Sequence, residues 1–309
     1  MVNRSRLLNR RLVTYGYSFF RTLLLVGIGF LILFPIFTKF ISSFKSTADY
    51  MDSTVLFLPK DPVLTNFTAV MQSVDYGATL LYTVLFCGLL SLLQVASCTV
   101  VAYGLARFRF PGRNIIFGLA ISTMVIPPQA ILLPLFLKFR YFNPLELFKF
   151  GGSLTGVSLV DTWIPFLLMA LLASGFKNGL YIFLLRQHFM NVPSVLEEAA
   201  YIDGCGTFKT FFRIMLPSAT PIMVSVFLFS FVWQWNDYYY TTILAPELGT
   251  LNMRLLGMSV GEISEILGDL STSTLQSPKF ILLIAPLIIL YLVFQKQFTE
   301  SIVKSGIVG

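Results

Sequence analysis

The residues best placed to act chemically lie in one polar stretch between apolar runs. It reads Val192-Pro-Ser-Val-Leu-Glu-Glu-Ala-Ala-Tyr-Ile-Asp-Gly204 and continues from Cys205 to Pro217. Ser194 and Glu197 have the Ser-x-x-Glu spacing of a capping box, which predicts a helix beginning at Val195. Gly204 suits the left-handed turn that ends a helix, so Asp203 should close it. Leu196, Ala199 and Ala200 are expected to share one face, with Glu197 and Glu198 beside it. A helix that adsorbs to lipid carries a Lys/Arg-rich polar face. This one is acidic, with a face of small residues, which suits a protein cleft better. A second amphipathic segment restarts at Gly206-Thr207 with Phe208, Phe211, Phe212 and Met215, and Pro217 is expected to close it.

A second candidate is Trp233-Gln-Trp-Asn-Asp-Tyr-Tyr-Tyr240. Asp237 is an ionisable residue in an apolar run, and such residues usually face a cavity, a partner or a pathway. Aromatic faces with nearby amides and carboxylates suit sugar rings, which offer C–H faces and hydroxyls. Trp233, Trp235, Asn236 and Asp237 are therefore candidate pathway residues. An aromatic belt at the membrane interface is the competing account, above all for Tyr239 and Tyr240. Met124-Val-Ile-Pro-Pro-Gln129 puts two prolines into another apolar run. Either a broken helix lines a cavity there, with Met124 and Gln129 on it, or the prolines simply kink a helix.

Other chemistry is poorly supported. His188 is the one histidine, which excludes a multi-histidine metal site. Cys87, Cys98 and Cys205 form no CxxC pair and read as small buried hydrophobes. Gly257-Met-Ser-Val-Gly261 fits the nucleophile elbow of hydrolases, but the strand–turn–helix context it needs is absent. No G-x-x-x-x-G-K-[ST] loop is present to cradle ATP by that device, and H-E-x-x-H is absent. Neither a catalytic residue nor a metal ligand is assigned.

The elements that must position these residues are membrane spans. Of the 309 residues, 56% are hydrophobic and only 12% charged. A soluble domain of this length cannot bury that much apolar surface. Six runs are long enough to cross a bilayer, about 19–41, 78–103, 115–137, 163–185, 220–244 and 280–298. Lys177 interrupts the fourth. The first run is too long for a signal peptide and lacks a small-residue cleavage site, so it reads as an uncleaved span. With the N-terminus inside, inner segments carry 12 Lys/Arg and outer segments 7. That asymmetry places both termini in the cytoplasm. The inner loops are then about 104–114 and 186–219, and the outer loops about 42–77, 138–162 and 245–279. The net charge of +7 thus follows membrane orientation, and no nucleic-acid partner is expected. The organisation expected is a tail over 1–18, a membrane domain over 19–298 and a tail over 299–309.

Glu198-Ala199-Ala200, then Gly204, then Ile214-Met-Leu216-Pro217 matches, at every position and both spacings, the cytoplasmic EAA motif of a known family. The chain resembles the permeases of binding-protein-dependent ABC importers. Ala102-Tyr-Gly-Leu-Ala-Arg-Phe-Arg-Phe-Pro-Gly-Arg113, Met124 to Gln129, Phe183 to Phe189 and Trp233 to Asp237 resemble the carbohydrate-uptake branch, of MalG-like permeases. The resemblance runs from about residue 66 to the C-terminus. It implies an all-α fold of type I importer permeases. It also implies that Glu197, Glu198, Ala199, Ala200, Asp203, Gly204, Ile214, Leu216 and Pro217 form a coupling loop that docks in the ATPase. The partners implied are a MalF-like permease as heterodimer, two ATPase subunits that use ATP and Mg, and an extracytoplasmic solute-binding protein bringing a carbohydrate. No cofactor would bind this chain. The last outer loop would reach toward the binding protein, and the C-terminal tail toward the ATPase. The location implied is a bacterial cytoplasmic membrane. The competing class is an ion-coupled secondary transporter of a small polar solute, which has no need of the EAA loop.

Overall fold

The computed structural model describes residues 2–143, 156–175, 177–257 and 272–306. These residues are helical and hold no strand, only one antiparallel bridge between Phe142 and Val157. The chain divides into two compact units, residues 1–73 with 259–284, and residues 74–258 with 285–309.

In the first unit, α1 (Val2–Ser42) is one continuous helix, so the expected 1–18 tail is helical from Val2 and runs unbroken into the apolar stretch. Its stretch 14–42 has mean hydropathy 2.3, and among the described residues none of its most apolar part is buried. A helix apolar all round must meet lipid or another protein. The segment after it is ordered by buried polar groups. Ser46 and Asp49 form a capping box on α2 (Thr47–Met51). Lys45 Nζ donates to the carbonyls of Val55 and Leu56, both at 3.1 Å. Asn66, on α3 (Thr65–Ser73), donates through Nδ2 to the carbonyls of Ser43 and Lys45. Each buried donor thus meets the backbone acceptors that burial demands.

The second unit is organised around α4 (Tyr76–Arg107), mean hydropathy 2.2. Around it pack α7 (Ile164–Leu171), α8 (Asn178–Asn191) and α12 (Thr220–Trp235). Small residues on α4, Cys98 and Ala102, let Leu185 and Phe189 of α8 approach closely, and all four are fully buried. Cys87 and Cys98 are buried free thiols, as their setting predicts, while Cys205 is half-buried.

Three helices are long and apolar enough to cross a membrane among the described residues: α1, α4 and α15 (Thr272–Gly306). A fourth candidate is a pair bent by 72°, Thr207–Ser218 with Thr220–Trp235. The other expected spans are interrupted. The third is α5 (Arg113–Ser122) followed by α6 (Pro128–Arg140), broken over 123–127. Pro127 is extended there and Pro128 opens α6, where its missing N–H costs nothing. The fourth is α7 and α8, separated by a turn in which Ala173 has φ +50°. The fifth is α12 followed after 236–238 by α13 (Tyr239–Leu244). Then α14 spans Leu251–Gly257. The Gly175-x-x-x-Gly179 spacing has a packing consequence: a Cβ on Gly179 would stand 2.2 Å from the carbonyl oxygen of Ala120, so α8 and α5 touch through that glycine. The C-terminal stretch is helical to Gly306, beyond the expected start of a tail at 299. Residues 258–271, with Glu262, Glu265, Asp269 and most of the Gly257–Gly261 pattern, lie outside the described residues.

Candidate functional site

The polar segment 192–217 is fixed by the end of α4. Arg107 sits in the last turn of that helix, where its charge complements the helix dipole. Its Nε lies 3.1 Å from Glu197 Oε2. Tyr103, one turn earlier, donates its hydroxyl to Glu197 Oε1 at 3.0 Å. Arg107 also donates to the carbonyl of Val192. These bonds tether α9 (Val195–Ile202). The expected capping box does not form. Ser194 has helical torsions (φ −61°, ψ −27°) and its side chain caps nothing. Glu197 turns inward instead, because a guanidinium and a phenol are stronger partners than one backbone N–H.

The helix ends as its glycine predicts. Gly204 has φ +78°. The Cys205 N–H donates to the Ala200 carbonyl at 2.9 Å and the Gly204 N–H to that of Tyr201 at 3.1 Å, the paired bonds of a Schellman motif. The faces differ from expectation. Ala200 is buried with Glu197, while Leu196, Glu198, Ala199 and Asp203 are exposed, with Val195 and Ile202. The reason is the inward pull on Glu197, which carries Ala200, one turn on, with it. The next segment also splits. Phe211 and Met215 enter the core, but Phe208 and Phe212 are 83% and 60% exposed. Ile214 and Leu216 pack partly against the core. Pro217 does not close the segment. It lies in the first turn of α11 (Leu216–Ser218), after α10 (Thr207–Thr210) and a π-turn over Phe211–Met215. The bend comes at Ala219. The outcome is a short anchored helix whose Val195, Leu196 and Ile202, with Phe208 and Phe212 of the segment that follows it, are left exposed by the described residues.

A second feature is a cavity of about 250 Å³ beside the break between α12 and α13. Trp233, Asn236 and Asp237 line it, together with Gln94, Lys177 and Tyr181, which sequence reasoning missed. Lys177 Nζ sits 4.0 Å from the centroid of the Trp233 ring, a cation–π contact. Asp237 accepts from the Thr241 hydroxyl at 2.6 Å and from the backbone N–H groups of Tyr240 and Thr241 at 3.3 and 3.0 Å. It thus caps the first turn of α13 while lining the cavity. Asn236 Nδ2 donates to the Val232 carbonyl at 2.9 Å. Trp235 is not at the cavity: it is 1% exposed and stacks on Phe231. Two residues on from Trp233, it points to the other side of the helix. Met124 and Gln129 are exposed outside this cavity, and Pro128 is the residue of that proline stretch that lines it. The available signals were Gln94, a polar residue deep in the apolar run of α4, and Lys177 in the fourth span.

Residues 98–302, about two thirds of the chain, match the family model described as binding-protein-dependent transport system inner membrane component. The chain belongs to that family. It is therefore the membrane permease of an ABC importer, working with a partner permease, a separate ATPase and a solute-binding protein. The permease is 25% identical over 301 residues to the arabinooligosaccharides transport system permease protein AraQ of Halalkalibacterium halodurans, covering 96% of each chain. It is 27% identical over 279 residues to the diacetylchitobiose uptake system permease protein NgcG of Streptomyces coelicolor, covering 90% of this chain and 85% of that one. It is 25% identical over 296 residues to the sn-glycerol-3-phosphate transport system permease protein UgpE of Yersinia pestis bv. Antiqua, covering 93% and 96%. A chain of a bacterial ABC transporter involved in the import of the acidic polysaccharide alginate has the same fold. The TM-score is 0.69 at 23% identity, over 91% of this permease and 95% of that chain.

Proposed function

We propose that this permease forms half of the pathway for a carbohydrate handed over by an extracytoplasmic binding protein, and that α9 links it to the ATPase. The observation that carries the second part is the geometry of α9. Its inner side is bolted to α4 through Glu197, and its outer side offers apolar residues that none of the described residues covers. An apolar patch of this kind marks a protein interface. Ala199 and Glu198 stand on that outer side, so the helix can lie close to a cleft while Glu198 reaches a cation or a helix N-terminus there. ATP, with Mg, binds and closes the partner ATPase dimer. The motion reaches α9, and the Arg107–Glu197 tie passes it to α4, the hub of the membrane helices.

The carbohydrate reading draws on the cavity at Trp233, Asn236 and Asp237, an aromatic face beside amide and carboxylate oxygens. It also draws on relatives whose names record arabinooligosaccharide and diacetylchitobiose transport. Six spans follow if α5–α6, α7–α8 and α12–α13 each cross once, beside α1, α4 and α15. The basic asymmetry then sets both termini and the 186–219 loop in the cytoplasm. A related but non-identical, MalF-like permease would complete the pathway, with two ATPase subunits below. The 245–279 segment would face the binding protein, and residues 299–309 the ATPase. No cofactor falls to this chain. The test is a thermal-shift screen of the co-encoded binding protein, followed by uptake of the hits in cells with and without this permease. Sugar-dependent stabilisation and permease-dependent sugar uptake are expected. A response confined to amino acids or metals would overturn the carbohydrate assignment.

A further inference from the structure

The turn between α4 and α5 carries a basic cavity that neither the coupling loop nor the pathway uses. It is an open hollow of about 330 Å³ lined by Arg109, Phe110, Gly112, Arg113, Asn114 and Ile115. Arg109 is exposed and Arg113 half-buried. Arg113 Nη1 reaches the Phe108 carbonyl at 3.3 Å, which leaves its other donors directed elsewhere. Among the described residues, neither arginine has a carboxylate within ion-pair reach; the ion pairs present join Lys60 to Asp52 and Arg107 to Glu197. The cavity therefore holds two charges that the described residues do not neutralise. Gly112, at φ +81°, turns the chain so that α5 starts directly from the cavity.

What lies beside the cavity decides the ligand. Beyond Arg113, α5 carries no charge, and none of its residues is buried by the described chain. Ile115 and Leu119 are spaced one turn apart on one side and are 70% and 63% exposed, with Ile116 at 49%. Phe110, which also lines the hollow, is 40% exposed. A pair of guanidinium groups at the foot of the exposed apolar side of α5, opposite the side that meets α8, matches an amphiphile, a phosphate on the arginines and acyl chains along Ile115 and Leu119. Arginine suits that phosphate through bidentate hydrogen bonds. An acidic protein surface would satisfy the charges but leave the apolar ladder bare.

We propose that Arg109 and Arg113 form a headgroup site for an anionic phospholipid, whose acyl chains lie on the Ile115–Leu119 side of α5. The site holds the α4–α5 turn against the membrane surface. Its position next to Arg107, which ties α4 to α9, places a lipid at the base of the coupling segment.

The test uses the complete purified transporter, delipidated and titrated with dioleoyl phosphatidylglycerol, with dioleoyl phosphatidylcholine as the neutral control. Bound lipid is counted by native mass spectrometry. Arg109→Gln and Arg113→Gln should each weaken phosphatidylglycerol binding about fivefold, and the pair about twenty-fold. Arg113→Lys should recover only the charge-dependent part of the loss seen in Arg113→Gln, since lysine cannot form the bidentate pair, and phosphatidylcholine binding should not change. Inorganic phosphate at millimolar concentration should displace little lipid, because it lacks the chains. The proposal is overturned if the double variant retains phosphatidylglycerol like the parent. Complete displacement by inorganic phosphate would instead define a free-anion pocket and equally overturn it. So would a double variant that loses the ATPase subunits while binding lipid normally, since the arginines would then serve docking.

Discussion

Glu197→Ala should free α9 from α4 without unfolding the membrane helices. The carboxylate accepts from Tyr103 at 3.0 Å and faces Arg107 at 3.1 Å. The two ion-pair side chains are 10% and 15% exposed, so the pair is screened far less than a surface bridge. A hydrogen bond to a charged group contributes about 1.5–3 kcal/mol, and breaking a fully buried pair costs about 3–5 kcal/mol. Arg107 keeps the Val192 carbonyl as an acceptor, which limits the penalty. We expect about 2–3 kcal/mol, confined to the tether. At about 1.4 kcal/mol per tenfold, local opening should rise roughly 30- to 140-fold. Hydrogen exchange read over 195–204 measures this directly, with the amides of α4 as the internal reference. Tyr103→Phe alone should cost about 1 kcal/mol. Combined with Glu197→Ala it should add almost nothing, because both remove the same contact. Unchanged protection over 195–204 in Glu197→Ala would refute the tether. So would additive losses in the double variant.

Gly204→Val forces a β-branched residue into a left-handed turn, at a cost of about 1–2 kcal/mol for an ordinary side chain. ATP hydrolysis should lose its dependence on loaded binding protein while the chain still inserts. Gly179→Val should be far more damaging than Gly175→Ala in thermal melts of the purified transporter. The first drives carbon into the backbone oxygen of Ala120, whereas the second meets the movable ends of Gln94 and Asn178. The two tryptophans should separate cleanly. Trp235→Ala empties a fully buried site at about 3–5 kcal/mol and should cut expression. Trp233→Ala, at the cavity, should lower uptake with assembly intact.

Much of the 192–217 segment is legible because its determinants are local. A glycine at the end of a short acidic helix announces a left-handed cap, and Gly204 makes one. Glu197 departs from the capping box because its partners lie on α4, roughly ninety residues away in sequence, where no local spacing rule reaches. The same distant tie fixed which side of α9 faces out, and so moved Ala200 into the core. Pro217 misled for another reason. A proline in the first turn of a helix is tolerated, so the segment passed through it and bent two residues later. At the cavity, the polar residues of the fifth span were found by their cost in lipid, and Asp237 is there. Gln94 and Lys177 gave the same signal and could have been read from it. Trp235 could have been excluded by helical geometry alone, since residues two apart face opposite sides. The breaks at 123–127 and 236–238 were suggested by prolines and polar residues, but which fragments line a cavity depends on helix packing.

Ala199→Trp tests the coupling role most directly. Ala199 is exposed on α9, so the larger side chain has room in the isolated permease and should leave its insertion and stability unchanged. In a docked complex the same ring would fill the cleft meant for a small residue. Co-purification of the ATPase and sugar uptake should be measured in the same cells, with Glu198→Lys as a milder, salt-dependent companion. Loss of both ATPase retention and uptake, with normal membrane insertion, is the expected result. Normal ATPase retention together with normal uptake in Ala199→Trp would contradict the assignment of α9 as the link between the ATPase and the pathway.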